Sequence, residues 1–248
     1  MDINLQSQGV MLVVLKPNEE FYSERGAMML MDSGIDMKPV DVGFIKGINR
    51  VLAGESFFSV VKYHNNSNDN KTLKLRYDYQ SLGWFQQNVT DTNLEMFKLD
   101  DFGGDLIIMP GAFFAGTSLK LELFFDKTLS RSLFSFGNLF NQRIIGNGIL
   151  FIKKDRWMRI KTLELNVNSQ IKVDPKEVYA FPMSALVQNK ASSSSFIAGE
   201  GFSSYQFIGP AKILLFETNN PNYRGCFTKI VIVIVFYVVL RIVLNILF

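Results

Sequence analysis

Cysteine and histidine are almost missing from this sequence: 248 residues carry one of each. Cys226 standing alone rules out an intrachain disulfide framework and a cysteine-based zinc site, and it favours a reducing compartment. With His64 alone, any metal site in the chain would have to be all-carboxylate. A Ser-His-Asp or Cys-His mechanism would have to recruit that histidine from among asparagines, in an expected solvated loop tip. An excess of one charge is missing too. Twenty-six basic and 23 acidic residues give a net +3, scattered singly, with no basic stripe alternating with aromatics, so no nucleic-acid partner is expected. The opening Met1-Asp2-Ile3-Asn4 has no basic region before an apolar run, and no arginine precedes Arg25. Neither a secretory signal nor a matrix-type leader is expected.

What is present is apolar, at 48% with 23 Phe, and repetitive. Gly54-Glu55-Ser56-Phe57-Phe58 returns in degraded form as Phe136-Gly137-Asn138-Leu139-Phe140 and as Gly199-Glu200-Gly201-Phe202. Each copy follows a second recurring element: Gly26-Ala27-Met28-Met29-Leu30-Met31, then Gly111-Ala112-Phe113-Phe114-Ala115, then Val178-Tyr179-Ala180-Phe181. Recurrence of such a unit decides architecture ahead of local propensity. The copies run at about 10–80, 84–154 and 157–217.

Within them the periodicity is that of strands. Val10 to Leu15 is a short apolar run; Leu73, Leu75, Tyr77 and Tyr79 alternate with Lys74, Arg76 and Asp78; Leu119, Leu121 and Leu123 alternate with Lys120 and Glu122. His64 to Asn70 reads as a polar hairpin tip, and Gly146-Asn147-Gly148 as a hairpin turn. Phe207-Ile208-Gly209-Pro210 followed by Ala211 to Phe216 reads as strand, turn, strand. Ile45, Ile48, Val51 and Leu52, and again Leu129, Leu133 and Phe134, suggest short helical turns ahead of the glycine loops. The expected fold is all-β, barrel-like or sandwich-like, with three units closing around a pseudo-threefold axis, because one unit alone exposes strand edges and an apolar face.

With these residues in view, the chain resembles the altered inheritance of mitochondria protein 24 family, whose members carry a domain similar to tryptophan RNA-binding attenuation protein. The resemblance spans about Val10 to Thr218. It rests on Glu24-Arg25-Gly26-Ala27-Met28, Arg50-Val51-Leu52-Ala53 leading into the first glycine loop, Pro110-Gly111-Ala112-Phe113-Phe114, Val173-Asp174 before Ala180-Phe181, and Gly199-Glu200-Gly201-Phe202 before Phe207-Ile208-Gly209-Pro210. It implies a β-rich fold of the double-stranded β-helix type with internal pseudo-symmetry, no established catalytic activity, and, in fungi, a mitochondrial membrane role.

No catalytic, cofactor or metal residues are expected. The glycine loops lack the following Lys-Ser/Thr of a phosphate loop and read as structural turns at Gly26, Gly54, Glu55, Gly111, Gly137, Gly199, Glu200, Gly201 and Gly209. Glu24, Glu55 and Glu200 either line a pocket on the symmetry axis or, as favoured, accept backbone N–H bonds in tight turns. Asp100-Asp101 reads as a solvated turn. Asn65-Asn66-Ser67, Asn70-Lys71-Thr72 and Asn88-Val89-Thr90 match the glycosylation pattern by chance if the chain never enters a secretory lumen.

The end of the chain carries the remaining expectation. Ile230 to Phe248 is broken only by Tyr237, Arg241 and Asn245, and as a helix it would extend about 28 Å at about 1.5 Å per residue. Its sixteen Ile, Val, Leu and Phe residues, at roughly −0.3 to −0.6 kcal/mol each, outweigh one arginine at about +3 kcal/mol. Arg224 and Lys229 precede the span and favour a cytosol-facing β domain. The expectation is a β-rich domain at 1–225 and a C-terminal membrane anchor at 226–248, with a buried strand pair as the other reading of the tail. The functional expectation is a membrane-anchored, non-enzymatic scaffold with protein partners or self-association; the alternative is a tethered small-ligand or nucleotide module.

Overall fold

Period-two burial organises the chain. In the run Val10 to Leu15, Met11, Val13 and Leu15 are wholly buried and the residues between them are half-buried, as a strand with one face on a core requires. A computed structural model describes residues 1–6, 9–40, 60–77, 92–109, 111–125, 140–155, 158–187 and 204–218. Strands dominate them, in three sets of six. After β1 (Asp2–Gln6) the first set is β2 (Val10–Leu15), β3 (Glu20–Glu24), β4 (Met28–Met31), β5 (Ile35–Val40), β6 (Val60–Asn65) and β7 (Lys71–Arg76). The second is β8 (Thr92–Lys98), β9 (Asp105–Ile108), β10 (Phe113–Gly116), β11 (Leu119–Phe125), β12 (Phe140–Gly146) and β13 (Ile149–Asp155). The third is β14 (Met158–Leu165), β15 (Gln170–Val173), β16 (Val178–Pro182), β17 (Leu186–Val187), β18 (Tyr205–Ile208) and β19 (Ala211–Thr218).

All three sets pair alike. The sixth strand lies between the first and the third. The fifth lies between the second and the fourth. Each unit is therefore two half-sheets facing across a core. The correspondence reaches single residues: the ladder of the third strand is interrupted between Met28 and Leu30, between Phe113 and Ala115, and between Val178 and Ala180. Ahead of that strand the same backbone bond closes each turn, Ala27 N to Glu24 O, Ala112 N to Met109 O and Glu177 N to Asp174 O. Gly26 and Gly111 supply the positive φ this turn uses, 88° and 77°. The third unit has Lys176 there and instead forms a 3-10 turn, in which Asp174 Oδ1 accepts from Lys176 N at 3.0 Å.

Half-sheets of successive units merge. β10 continues the ladder of β3 with Ala115 opposite Ser23 and Gly116 opposite Tyr22. β16 continues that of β9 with Ala180 opposite Ile108 and Phe181 opposite Ile107. The sheet orders are β1-β2-β7-β4, β5-β6-β3-β10-β13-β8, β11-β12-β9-β16-β19-β14 and β15-β18-β17. Each junction also shares core. The first unit's core takes in Phe114, Ala115 and Phe151 of the second, and the second unit's core takes in Tyr179, Ala180 and Leu214 of the third.

Four expectations change. No ladder joins β4 to β15, so the pseudo-threefold ring is not closed among the described residues; the units run one to two to three. The connections after β6 and β12 are not hairpins, because the fifth and sixth strands belong to different sheets. Gly146 to Gly148 instead crosses between layers, so closely that a Cβ on Gly148 would lie 1.7 Å from Thr117 O. The membrane helix is not upheld: no described helix is long and apolar enough to cross a bilayer. The described helical elements are 3-10 turns of three or four residues, Leu99–Phe102, Pro175–Glu177 and Met183–Ala185, far short of the roughly 20 residues a span needs. The tail with Lys229, Ile230, Arg241, Asn245 and Phe248 lies outside the described residues, as do the short helical turns expected near Ile45 and Leu129.

Candidate interaction surfaces

Of the recurring loop residues, Gly54, Glu55, Gly137, Gly199, Glu200 and Gly201 lie outside the described residues. All fall between the fourth and fifth strands of their units, β5–β6, β11–β12 and β17–β18. Gly26 and Gly111 form the turns given above. Gly209 packs so tightly that a Cβ would meet Asn166 O at 2.1 Å. Glu24 neither lines a described pocket nor caps a turn. Its Oε2 accepts from Lys153 Nζ at 2.6 Å, tying the first unit to the second. Asp100 and Asp101 are exposed in a 3-10 turn, and among the described residues no cluster of acids and histidine could hold a metal ion.

A concavity of about 310 Å³ opens over β3, β5 and β6, lined by Glu20, Asp36, Lys38, Lys62, His64 and Asn66. Four of these six residues are hydrogen-bonded in pairs. Lys62 Nζ donates to Glu20 Oε1 at 2.9 Å and Tyr22 Oη donates to Oε2 at 3.0 Å, while Asn66 donates to Asp36. The Lys62 bond outweighs partial burial and holds the Glu20 carboxyl below its ordinary range. Burial, then the bond to Glu20, pushes the Tyr22 phenol up to about 12. His64 is no solvated tip. Its Nδ1 is buried without a hydrogen bond, 3.5 Å from Glu20 Oε1.

This cluster also recurs, which weighs against a specialised site. The diagonal pair Glu20–Lys62 is matched in the second unit by Asp105–Arg143, with bonds of 2.8 and 2.6 Å, and in the third by Gln170–Gln206 at 3.0 Å. A cross-strand tie that survives loss of both charges is a device for holding the second strand to the fifth. Asn65 was equally illegible. Though placed in a polar tip, it is fully buried. Its Nδ2 donates to Leu15 O and Asp69 O, and its Oδ1 accepts from Ser67 N and Oγ. A glycan on Asn65 is incompatible with that burial.

The surface that does not recur is β4. Met28, Met29 and Leu30 are 41%, 44% and 47% exposed, whereas their counterparts Phe113, Phe114 and Ala115 are 2%, 0% and 0%, and Val178, Tyr179 and Ala180 are 6%, 2% and 1%. β10 and β16 have a second strand of the preceding unit beside them; among the described residues β4 has none. At the far end β15, the second strand of the third unit, has no third strand beside it among the described residues. Natural edges are commonly blunted by Lys or Pro. β5, an outer edge, carries Lys38 and Pro39, but β4 is Met-Met-Leu-Met.

Repeat, sheet order and edges thus define an all-β protein of three units in series. The chain belongs to the mitochondrial biogenesis AIM24 family, whose profile matches residues 1–216. Its structure is similar to the crystal structure of protein SPYM3_0169 from Streptococcus pyogenes, with a TM-score of 0.54 and 17% identity, covering 92% of this chain and 97% of that one. At that identity the likeness shows the fold alone. No curated protein matches the sequence.

Proposed function

We propose that this chain is a non-enzymatic scaffold, working in association with mitochondria as its family's description suggests, that holds protein partners by strand addition at its sheet edges. The observation that carries the reading is β4, an unblunted run of exposed apolar residues at the end of a sheet. Strand addition draws affinity from backbone hydrogen bonds and selectivity from alternate side chains, and β4 offers both. The concavity supports a small-ligand reading less well, because a charged ligand there would have to displace bonds that Lys62, Tyr22 and Asn66 already make.

Proximity labelling in the native cell tests the reading. A Leu30→Lys variant should lose a defined set of protein neighbours while its circular dichroism stays that of the wild type. An unchanged set of neighbours overturns edge-mediated scaffolding, and turnover of a substrate by the pure protein overturns the non-enzymatic part.

A further inference from the structure

The scaffold reading leaves the occupant of the open edges unspecified, and the internal junctions specify it. We infer that β4 of one copy pairs with β15 of a second copy, head to tail, repeating the junction that the chain makes twice within itself. This rests on the scaffold reading and names its partner. Both internal junctions have the same register: the residue after the third-strand irregularity, Ala115 or Ala180, faces the fourth residue of the second strand, Ser23 or Ile108. The corresponding residues at the open ends are Leu30 on β4 and Val173 on β15. The inferred pairs are therefore Leu30 with Val173 and Met31 with Lys172.

The side chains follow the same correspondence. At each internal junction the irregular residue and the next one enter the preceding unit's core, Phe114 with Ala115 and then Tyr179 with Ala180. Met29 and Leu30 occupy those positions at the open end, and the third unit's core contains no such contribution among its described residues. Charge agrees as well. The first junction carries the Lys153–Glu24 ion pair, and its equivalents at the open junction are Arg76, which follows Leu75 as Lys153 follows Ile152, and Asp174, which follows Val173 as Glu24 follows Ser23. Apolar knobs, backbone edge and charge signs all match between the chain's two ends. Among the described residues the two internal junctions do not bring β15 back to β4, so the third junction belongs to another copy. A contact of this head-to-tail kind builds rings when its rotation closes and filaments when it does not.

Disulfide trapping in the full chain tests the inference. Two chains are made with Cys226→Ser, one carrying Leu30→Cys and the other Val173→Cys, and are mixed under mild oxidation. A disulfide-linked dimer from the mixture, with neither chain alone giving one and with Gln170→Cys failing to replace Val173→Cys, is the expected result. Light scattering of the wild type should show assembly, and Leu30→Lys should weaken it at least tenfold without altering the circular dichroism. A monomeric wild type, an absent crosslink, assembly indifferent to Leu30→Lys, or an internal disulfide in a chain bearing both cysteines overturns the inference. If trapping fails while Leu30→Lys still loses its neighbours in the cell, a different protein occupies the edge: self-pairing falls and the scaffold reading stands.

Discussion

Phe114 and Met29 hold the same place in consecutive units, and truncating each to alanine measures how the units are joined. Phe114 belongs to β10 of the second unit but is fully buried in the core of the first, its ring edge-on to Tyr77 at 5.9 Å and 75°. Phe114→Ala removes a whole buried aromatic and leaves a cavity whose walls are strands fixed in two sheets, so collapse is limited. Such truncations cost about 3–5 kcal/mol, of which about 0.5–1.5 kcal/mol is the loss of the ring pair. Against a total stability of about 5–15 kcal/mol that is a large fraction. Met29 is nearly half exposed, so Met29→Ala in dilute protein should cost no more than about 0.5 kcal/mol. Urea unfolding followed by far-ultraviolet circular dichroism, at concentrations low enough to disperse assemblies, reads both values. A loss below about 1.5 kcal/mol for Phe114→Ala, or equal losses for the two variants, would refute the reasoning that the second unit caps the first.

Asn65→Ala strands several buried bonds at once and should destabilise by about 2–4 kcal/mol in the same unfolding assay. The double substitution Asp105→Gln with Arg143→Gln copies the neutral tie of the third unit, and since partly exposed ion pairs are worth about 0–1 kcal/mol it should cost no more than about 1 kcal/mol. Arg143→Ala alone should cost more than the double substitution, because Asp105 loses its tie. The Tyr22 phenol, raised from 10.0 to about 12, is held protonated by the fold. Its contribution to stability is full below pH 10.0 and lost as pH rises toward about 12. Tyr22→Phe should flatten the loss of stability across that alkaline window, as followed by ellipticity, and an unchanged profile counts against the assignment.

Much of the architecture is written in short repeated words. Gly26-Ala27-Met28-Met29, Gly111-Ala112-Phe113-Phe114 and Val178-Tyr179 align in sequence and then carry the same turn bond and the same ladder irregularity. Alternation at Leu73 and Leu75 was equally legible, since a half-buried strand has few other ways to be written. Pairing was not. Adjacent apolar runs separated by Gly146-Asn147-Gly148 look like a hairpin because local sequence does not say which partner wins, and β12 takes β9 and β11 instead. Asn65 reads as loop polarity although its amide is a buried fastener, because its partners Leu15 and Asp69 are fixed only by the fold. Met28 to Leu30 share the recurring apolar element with Phe113 to Ala115 and yet are exposed, since the cover of a third strand comes from the preceding unit, and among the described residues the first unit has none. The tail reads as a span by hydropathy, yet its Ile, Val and Phe composition suits strands as well, and no described helix is a span.

Hydrogen–deuterium exchange of the full chain at low and high protein concentration addresses the open-ended series most directly. The account predicts slow exchange in β10 and β16 at both concentrations, and protection in β4 and β15 that rises together as concentration increases. Equal, strong protection of β4 and β15 at every concentration would show the ring already closed within one chain, and fast exchange of both at every concentration would show that no second copy pairs with them; either result contradicts it.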